Sequence, residues 1–352
     1  MAAVLRFKDV SRRIDDHMQL SHLNLTLQEG EILCLLGPSG CGKSSTLRLA
    51  AGFEQPDDGE IYLGGSLVAA ARYSLPPEKR EMGMVFQDYA LFPHLDVLGN
   101  IAFGLRHLPS SERLRRSHLL LERLRIDHLA GQYPHTLSGG EMQRTALARA
   151  LAPIPRIVLL DEPFSELDPQ LRSDIRDDTL HILKEVGTAA IMVTHDAEEA
   201  MFMADRIAVM KNGQIIQTDT PHKLYNEPKD AFAASFFGEI NVFHTTAQQG
   251  QAMTPFGPVR AQACNDNDPI AVVLRAEAIG FAQVGSVGQN FGRATVVASR
   301  LLGRASLIHV SYMDGQQQLH HLHARINGLF LPAPGMELEL RVDLPKSMVF
   351  CG

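Results

Sequence analysis

The sequence lacks any apolar run near the roughly 18 residues that a membrane-spanning helix requires. Its N-terminal stretch, MAAVLRFKDV, also lacks the charged and then apolar pattern of a secretory signal. We therefore expect a cytoplasmic protein that reaches a membrane only through its partners.

A large basic block is also missing. The formal net charge is −7, which disfavours bulk binding to nucleic acid. Arginines are concentrated locally at Arg113, Arg115, Arg116, Arg123 and Arg125. A solvated helix face explains this group better than a nucleic-acid site does. We expect no nucleic-acid partner.

Cysteine is scarce and scattered. Cys34, Cys41, Cys264 and Cys351 have no spacing typical of a metal site. We predict four reduced packing residues. Only Cys41, inside the glycine-rich stretch described next, is placed where oxidation could matter.

The sequence does contain a strong phosphate-binding signal, GPSGCGKS, at residues 37–44. It lies between an apolar run and a helical pattern, the strand–turn–helix context that G-x-x-x-x-G-K-[ST] requires, which disfavours a ligand-free glycine turn. Glycines let successive N–H groups face a phosphate chain, and the helix N-terminus adds positive potential. Lys43 is predicted to bind the β- and γ-phosphates of a nucleoside triphosphate, and Ser44 to bind Mg²⁺. The predicted cofactor-binding residues here are Gly37, Pro38, Ser39, Gly40, Cys41, Gly42, Lys43, Ser44 and Ser45.

Two carboxylates end a second apolar run, at residues 157–160. Asp161 is predicted to hold Mg²⁺ beside the phosphate loop, directly or through water. Glu162 points differently and can polarise the water that attacks the γ-phosphate. The alternative, a strand that simply ends in solvated acids, is disfavoured by the loop upstream.

A glycine pair at a helix start gives the third signal. Ser138 is a good N-cap with Glu141 three residues on, which a plain helix start would explain. Glycines are costly there, however. The serine hydroxyl and the free N–H groups of Gly139 and Gly140 favour an anion site.

Strand and helix patterns divide the chain into two regions. Apolar runs alternate with helical periodicity up to residue 237, which predicts a parallel α/β sheet with a small antiparallel sheet beside it. Short strands with turn residues follow and predict a small all-β domain. We predict domains at 1–237 and 238–352, with a helical subdomain at about 88–152.

These motifs together resemble those of ATP-binding cassette (ABC) ATPases. Residues 137–144 are similar to the LSGGQ signature, residues 165–168 to the D-loop, and Asp161 with Glu162 to Walker B. Gln87 matches the Q-loop glutamine, which contacts Mg²⁺ and water, and His195 matches the switch histidine. The resemblance implies a P-loop cassette with Glu162, His195 and Gln87 as catalytic residues. It adds Asp168, Ser138, Gly139 and Gly140 as cofactor-binding residues, and Ser44, Gln87 and Asp161 as Mg²⁺ contacts.

The resemblance also implies partners. One phosphate loop and one signature per chain imply a head-to-tail homodimer in which Lys43 and Ser138 of different chains share each ATP. A β-rich region after the cassette resembles the TOBE-type (OB-like) domain of importer ATPases. In that group the subunit lies at the cytoplasmic face of the inner membrane. It drives two permease subunits, each of which places a coupling helix on the surface near residues 90–94. It acts indirectly with a solute-binding protein.

Three stretches, at residues 51–60, 133–135 and 204–213, resemble ferric-iron importer ATPases most, which predicts Fe³⁺ import. Sugar, polyamine, sulfate or thiamine import stays open, as do a non-transport ABC ATPase and a solute-sensing C-terminal domain. The sequence departs from the family at Glu166, where the D-loop usually has alanine. It also departs at Ile14, where an aromatic residue usually stacks on adenine, and we expect weaker base stacking there.

Overall fold

A computed structural model describes residues 3–14, 17–282 and 288–351. The chain divides into two compact units, Met1–Asn226 and Glu227–Gly352. The domain boundary predicted at 237/238 falls inside the second unit.

The first unit contains eleven strands in the part that the structure describes. They are β1 (Ala3–Ile14), β2 (His17–Gln28), β3 (Ile32–Leu36), β4 (Asp58–Leu63), β5 (Ser66–Ala70), β6 (Tyr73–Ser74), β7 (Met82–Val85), β8 (Ile157–Asp161), β9 (Ala189–Thr194), β10 (Arg206–Lys211) and β11 (Gln214–Asp219). Its described helices are α1 (Lys43–Ala51), α2 (Val97–Ala102), α3 (Ser110–Arg123), α4 (Gly139–Leu151), α5 (Pro169–Val186), α6 (Ala197–Met203) and α7 (Pro221–Asn226).

Two sheets organise these elements. The central sheet has the order β11-β10-β3-β9-β8-β7, and all neighbours within it are parallel except β10 and β11. The second sheet, β2-β1-β4-β5-β6, has antiparallel pairs throughout. Strands β3 and β9 are buried along their whole length, as expected for a parallel sheet covered on both faces. The predicted parallel core with an antiparallel sheet is confirmed.

The parallel arrangement positions the predicted site. β3, β8 and β9 are neighbours that run in the same direction. Their carboxyl ends therefore meet at one edge of the sheet, where ligands bind in open α/β folds. The phosphate loop, the two acids at the carboxyl end of β8 and the histidine after β9 all lie at this edge.

The second unit is almost entirely β-structure, as predicted. After the short helix α8 (Ala231–Phe236), its described strands form two five-stranded sheets, of which the first has the order β14-β13-β12-β15-β21 and the second β16-β20-β17-β18-β19. They are β12 (Ile240–Gln248), β13 (Gln251–Thr254), β14 (Gly257–Arg260), β15 (Pro269–Arg275), β16 (Ile279–Phe281), β17 (Gln289–Leu302), β18 (Ala305–Met313), β19 (Leu319–Asn327), β20 (Glu337–Val342) and β21 (Met348–Cys351).

The cysteine prediction is wrong for two of the four residues. Cys264 and Cys351 form a disulfide, whereas Cys34 and Cys41 are free and buried as expected. The bonded pair is 87 residues apart in the sequence, so only the packing of β21 beside the segment that follows β14 brings the two sulfurs together.

No helix in the described ranges is both long and apolar enough to cross a bilayer.

Candidate nucleotide-binding site

The phosphate loop joins β3 to α1, and two of its glycines are sterically required. A Cβ on Gly37 would collide with the carbonyl oxygen of Met210 and lie 2.8 Å from the sulfur of Cys41. Gly42, just before α1, has φ 102°, and a Cβ there would lie 2.5 Å from a methyl carbon of Leu20. Only glycine suits this left-handed backbone next to such close neighbours. The loop therefore keeps its backbone available to a ligand.

Lys43 is the buried cation of the loop, with 5% of its surface exposed. Its Nζ donates hydrogen bonds to the carbonyl oxygens of Gly37, at 2.7 Å, and Pro38, at 3.0 Å. The ammonium is thus held across the loop, and no carboxylate of the described residues is among its hydrogen-bond partners. Together with the N-terminal N–H groups of α1, it supplies positive charge suited to a polyphosphate.

Ser44 and Asp161 meet beside Lys43. The Ser44 hydroxyl donates a hydrogen bond to Oδ1 of Asp161 at 3.1 Å. Burial raises the pKa of Asp161, and the neighbouring charge of Glu162 raises it further, although the serine hydrogen bond opposes the shift. A hydroxyl and a carboxylate in this arrangement are the oxygen ligands that Mg²⁺ prefers.

Glu162 and His195 form a second polar pair at the same edge of the sheet. Nδ1 of His195 and Oε2 of Glu162 lie 3.1 Å apart. The Glu162 N–H donates to the Val193 carbonyl at 3.0 Å, and its φ of 44° is in the left-handed region. A non-glycine residue held there is strained, which is common at functional sites. The carboxylate is directed toward His195.

Buried polar residues that sequence reasoning missed lie behind His195. Glu199 on α6 is 4% exposed and accepts a hydrogen bond from the Thr194 hydroxyl at 2.7 Å. Burial raises the pKa of Glu199. Arg172 on α5 lies 3.9 Å from Glu199. No motif predicted these residues, because they follow from the packing of α5 and α6. A cavity of about 60 Å³ is lined by Glu162, Ser165, Arg172, Thr194, His195, Asp196 and Glu199.

The signature segment (residues 137–144) contains the start of α4, where the Glu141 carboxylate binds back to Ser138. Oε2 of Glu141 accepts hydrogen bonds from the Ser138 N–H at 2.7 Å and the Ser138 hydroxyl at 2.8 Å. The backbone hydrogen bond is the main cause of the lowered pKa of Glu141. Ser138 is exposed, and a Cβ on Gly139 or Gly140 would lie 3.1 Å from Leu167 or Ile175 respectively. Gly139 and Gly140 therefore pack closely against Leu167 and Ile175, and a side chain at either position would displace these neighbours.

Gln87 and Asp168 are predicted site residues that make none of these contacts within the described ranges. Gln87 follows β7 as an exposed residue and makes no side-chain hydrogen bond within the described ranges. Asp168 is exposed at the start of α5 and makes no side-chain cap. Ile14 ends β1 opposite His17, but both side chains lie outside the described part of the structure, so the expectation of weak adenine stacking stays a prediction.

The fold and this geometry define a P-loop nucleotide-binding cassette followed by a second, all-β unit. The residues present fit Mg²⁺ and a nucleoside triphosphate, since a buried ammonium, a helix N-terminus and a hydroxyl–carboxylate pair converge on one loop.

Comparison with known proteins gives the family. Residues 20–165 match the ABC transporter family. The chain is 39% identical, over 99% of its own length and 95% of the relative's, to the putrescine transport ATP-binding protein PotG of Escherichia coli (strain K12). It is 46% identical, over 78% of each chain, to the Fe(3+) ions import ATP-binding protein FbpC 2 of Haemophilus influenzae. The chain belongs to the ABC transporter family, among the ATP-binding subunits of import systems.

A solved structure agrees with this placement. The dimeric post-hydrolysis state of the ATP-binding cassette MJ0796, bound to ADP and Pi, matches with a TM-score of 0.54 and 30% identity. The match covers 62% of this chain and 98% of that chain. The predicted ABC cassette fold is confirmed.

Proposed function

We propose that this chain is the ATP-hydrolysing, energy-coupling subunit of an ABC import system and that it uses Mg²⁺. The observation that carries the proposal is the meeting of two polar pairs at one edge of the sheet. Ser44 with Asp161 and Glu162 with His195 lie at the carboxyl ends of the parallel strands β3, β8 and β9, beside the buried ammonium of Lys43. Such an arrangement can bind a phosphate chain and act on it.

Each side chain has a role that its surroundings support. Mg²⁺, when bound with ATP, neutralises phosphate charge. Ser44 and Asp161 would hold the metal, and Lys43 would bind phosphate oxygens. Glu162 would orient and polarise the attacking water, because its carboxylate is partly exposed and already fixed by His195. Gln87 would complete the Mg²⁺ and water contacts from the end of β7.

The active form proposed is a head-to-tail homodimer. Ser138, Gly139, Gly140 and Asp168 have no contact with the phosphate loop among the described hydrogen bonds. Ser138 and Asp168 are exposed, so they are available to a second copy. Closure on ATP and opening after hydrolysis would then form the two-state element that drives a partner.

The partners proposed are two membrane-embedded permease subunits, with a separate solute-binding protein acting through them. The chain would then be a peripheral protein at the cytoplasmic face of the membrane. Docking is proposed at the segment after Gln87, where Phe92 is half-buried and contacts the rings of His94 and Phe103. Apolar side chains at this turn suit the reception of a helix.

Two solutes are proposed, Fe³⁺ first and a polyamine second. The Fe³⁺ proposal rests on the three stretches that resemble ferric-iron importers and on the 46% identity to FbpC 2. The polyamine proposal rests on the likeness to PotG, which extends over 99% of the chain and so includes the second unit. No residue of either polar pair would contact the solute, because the permease and the binding protein select it.

Uptake in a deletion strain tests the proposal. Cells lacking the gene would be complemented with the wild-type chain or Glu162→Gln, and uptake of radiolabelled Fe³⁺ and radiolabelled putrescine would be measured. We expect the wild type alone to restore uptake of one of them. Restoration by Glu162→Gln would contradict ATP-driven import, and uptake of putrescine alone would replace Fe³⁺ by a polyamine.

A further inference from the structure

The turn that follows Gln87 has an unusual backbone. Tyr89 and Ala90 have φ values of 60° and 45°, so two consecutive non-glycine residues are left-handed. Each such residue costs free energy that its surroundings must offset. Local hydrogen bonds close the turn, from the Tyr89 N–H to the Phe86 carbonyl at 2.9 Å and from the Ala90 N–H to the Asp88 carbonyl at 2.7 Å.

Arg149, near the C-terminal end of α4, donates hydrogen bonds to two backbone carbonyl groups of this turn. Its Nη1 donates to the Ala90 carbonyl at 2.6 Å and its Nη2 to the Tyr89 carbonyl at 2.8 Å. The guanidinium carbon also lies 5.4 Å from the ring centre of Phe92. Both acceptors belong to the left-handed residues. The planar fork of arginine suits two adjacent carbonyls, which a lysine ammonium cannot bind in the same way.

The same turn reaches the other end of α4. Tyr89 is 4% exposed, and its hydroxyl lies 3.9 Å from the position that a Cβ on Gly139 would occupy. That hydroxyl is buried without a hydrogen-bond partner in the described ranges, so the tyrosine is placed there by packing. Gly139 and Arg149 are ten positions apart on one helix, or about 15 Å along its axis. The turn is therefore hydrogen-bonded near the C-terminal end of the signature helix, and its Tyr89 side chain lies close to the N-terminal end.

We propose that Arg149 is a positioning residue that locks the turn after Gln87 onto the signature helix α4. Through the two carbonyls it fixes the left-handed backbone that follows Gln87. It makes the turn and Ser138–Gly140 move as one body, so that a displacement at one is transmitted to the other. This inference rests on the proposed ATPase function.

Hydrogen exchange of backbone amides in the full chain tests the lock without ATP. Replacing Arg149→Met keeps an apolar stem but removes both hydrogen bonds, and Arg149→Lys retains one donor group. We expect exchange at residues 89–95 to be about tenfold faster in Arg149→Met, with an intermediate increase in Arg149→Lys. Arg116→Met is the matched control, because Arg116 pairs with Glu112 on its own helix, and it should leave these amides unchanged.

Two further measurements separate positioning from general damage. With ATP, Arg149→Met should lower kcat about tenfold while KM for ATP stays within about twofold, since Lys43 and Ser44 are untouched. Unchanged exchange at residues 89–95 would overturn the proposal. A uniform increase over the whole chain would overturn it too, because it would report global unfolding. If the wild type does not hydrolyse ATP, the proposed function fails. The hydrogen-exchange result still shows whether Arg149 fixes the turn onto α4.

Discussion

Glu199 shows how one buried residue can set the pH dependence of stability. Burial raises its pKa above the usual value near 4.5, and Arg172, at 3.9 Å, is too distant to offset this by a hydrogen bond. A carboxyl group whose pKa is raised by folding contributes to stability, and this contribution is fully present at pH values below the pKa of the group in the unfolded chain. That contribution is lost as pH rises through the folded pKa. The ionisation of buried Glu199 therefore lowers the free energy of unfolding as pH rises.

Glu199→Gln should remove this dependence. The amide keeps an oxygen for the Thr194 hydroxyl but cannot ionise. We expect the melting temperature of the variant, relative to the wild type, to rise between about pH 4.5 and neutrality. Thermal unfolding of the full chain at a series of pH values measures it. The exposed neighbour Glu198 gives the control Glu198→Gln, and a difference for Glu199→Gln that does not grow with pH would refute the assignment.

Glu162→Gln should separate nucleotide binding from hydrolysis. The amide has nearly the shape of the carboxylate, but it cannot polarise water or accept its proton. We expect hydrolysis to fall at least about 100-fold while ATP binding is retained, so that an ATP-bound dimer accumulates. Phosphate release and size-exclusion chromatography with ATP measure both effects. Glu166→Gln, in the same loop, is the control, and steady-state hydrolysis near the wild-type rate in Glu162→Gln would contradict the assigned role.

At the scale of elements, β21 is the strand that depends most on one covalent bond. It has four residues and, within the part of the chain that the structure describes, pairs with β15 alone at an edge of its sheet. Val349 packs on the small apolar cluster of that sheet. The Cys264–Cys351 disulfide joins this strand to the segment after β14. A short edge strand is weakly held by its ladder alone.

Removal of the disulfide should destabilise the second unit. A disulfide typically contributes about 2–4 kcal/mol, mainly by restricting the unfolded chain. We expect Cys351→Ser to lower the free energy of unfolding by that amount and reductant to do the same to the wild type. Denaturant unfolding of the full chain with and without reductant measures it. Cys351→Ser also serves as the control, because it has no disulfide to reduce. If reductant lowered the free energy of unfolding of Cys351→Ser as much as that of the wild type, the explanation would be contradicted.

Elements differ in how well the sequence predicts them. β3 and β9 were predictable because strands buried on both faces are continuous apolar runs. Ser44 and Asp161 were predictable as neighbours because parallel strands end at one edge of the sheet. The Cys264–Cys351 bond was not, since distant residues meet only through tertiary packing. Arg149 was missed for a related reason, because an arginine that binds backbone carbonyls follows no side-chain pattern.

At the scale of the whole molecule, the phosphate loop and the signature belong to different sites of the proposed dimer. Lys43 is buried in its own loop, while Ser138 is exposed at the start of α4. Each ATP would therefore need Lys43 of one copy and Ser138 of the other.

Mixing two inactive variants tests the shared site. In a heterodimer of Ser138→Arg and Lys43→Ala chains, one site combines both intact residues and the other combines both lesions. We expect about half the wild-type rate per dimer if the sites act independently, although each homodimer is inactive. Lys43→Ala mixed with Asp161→Asn is the matched control. Both residues lie on the phosphate-loop side of a site, so each of the two sites in that heterodimer carries one lesion and neither site is intact. If each site were built within a single chain, neither mixture would recover activity. A Ser138→Arg/Lys43→Ala heterodimer that is shown to form but is inactive would therefore exclude the composite site.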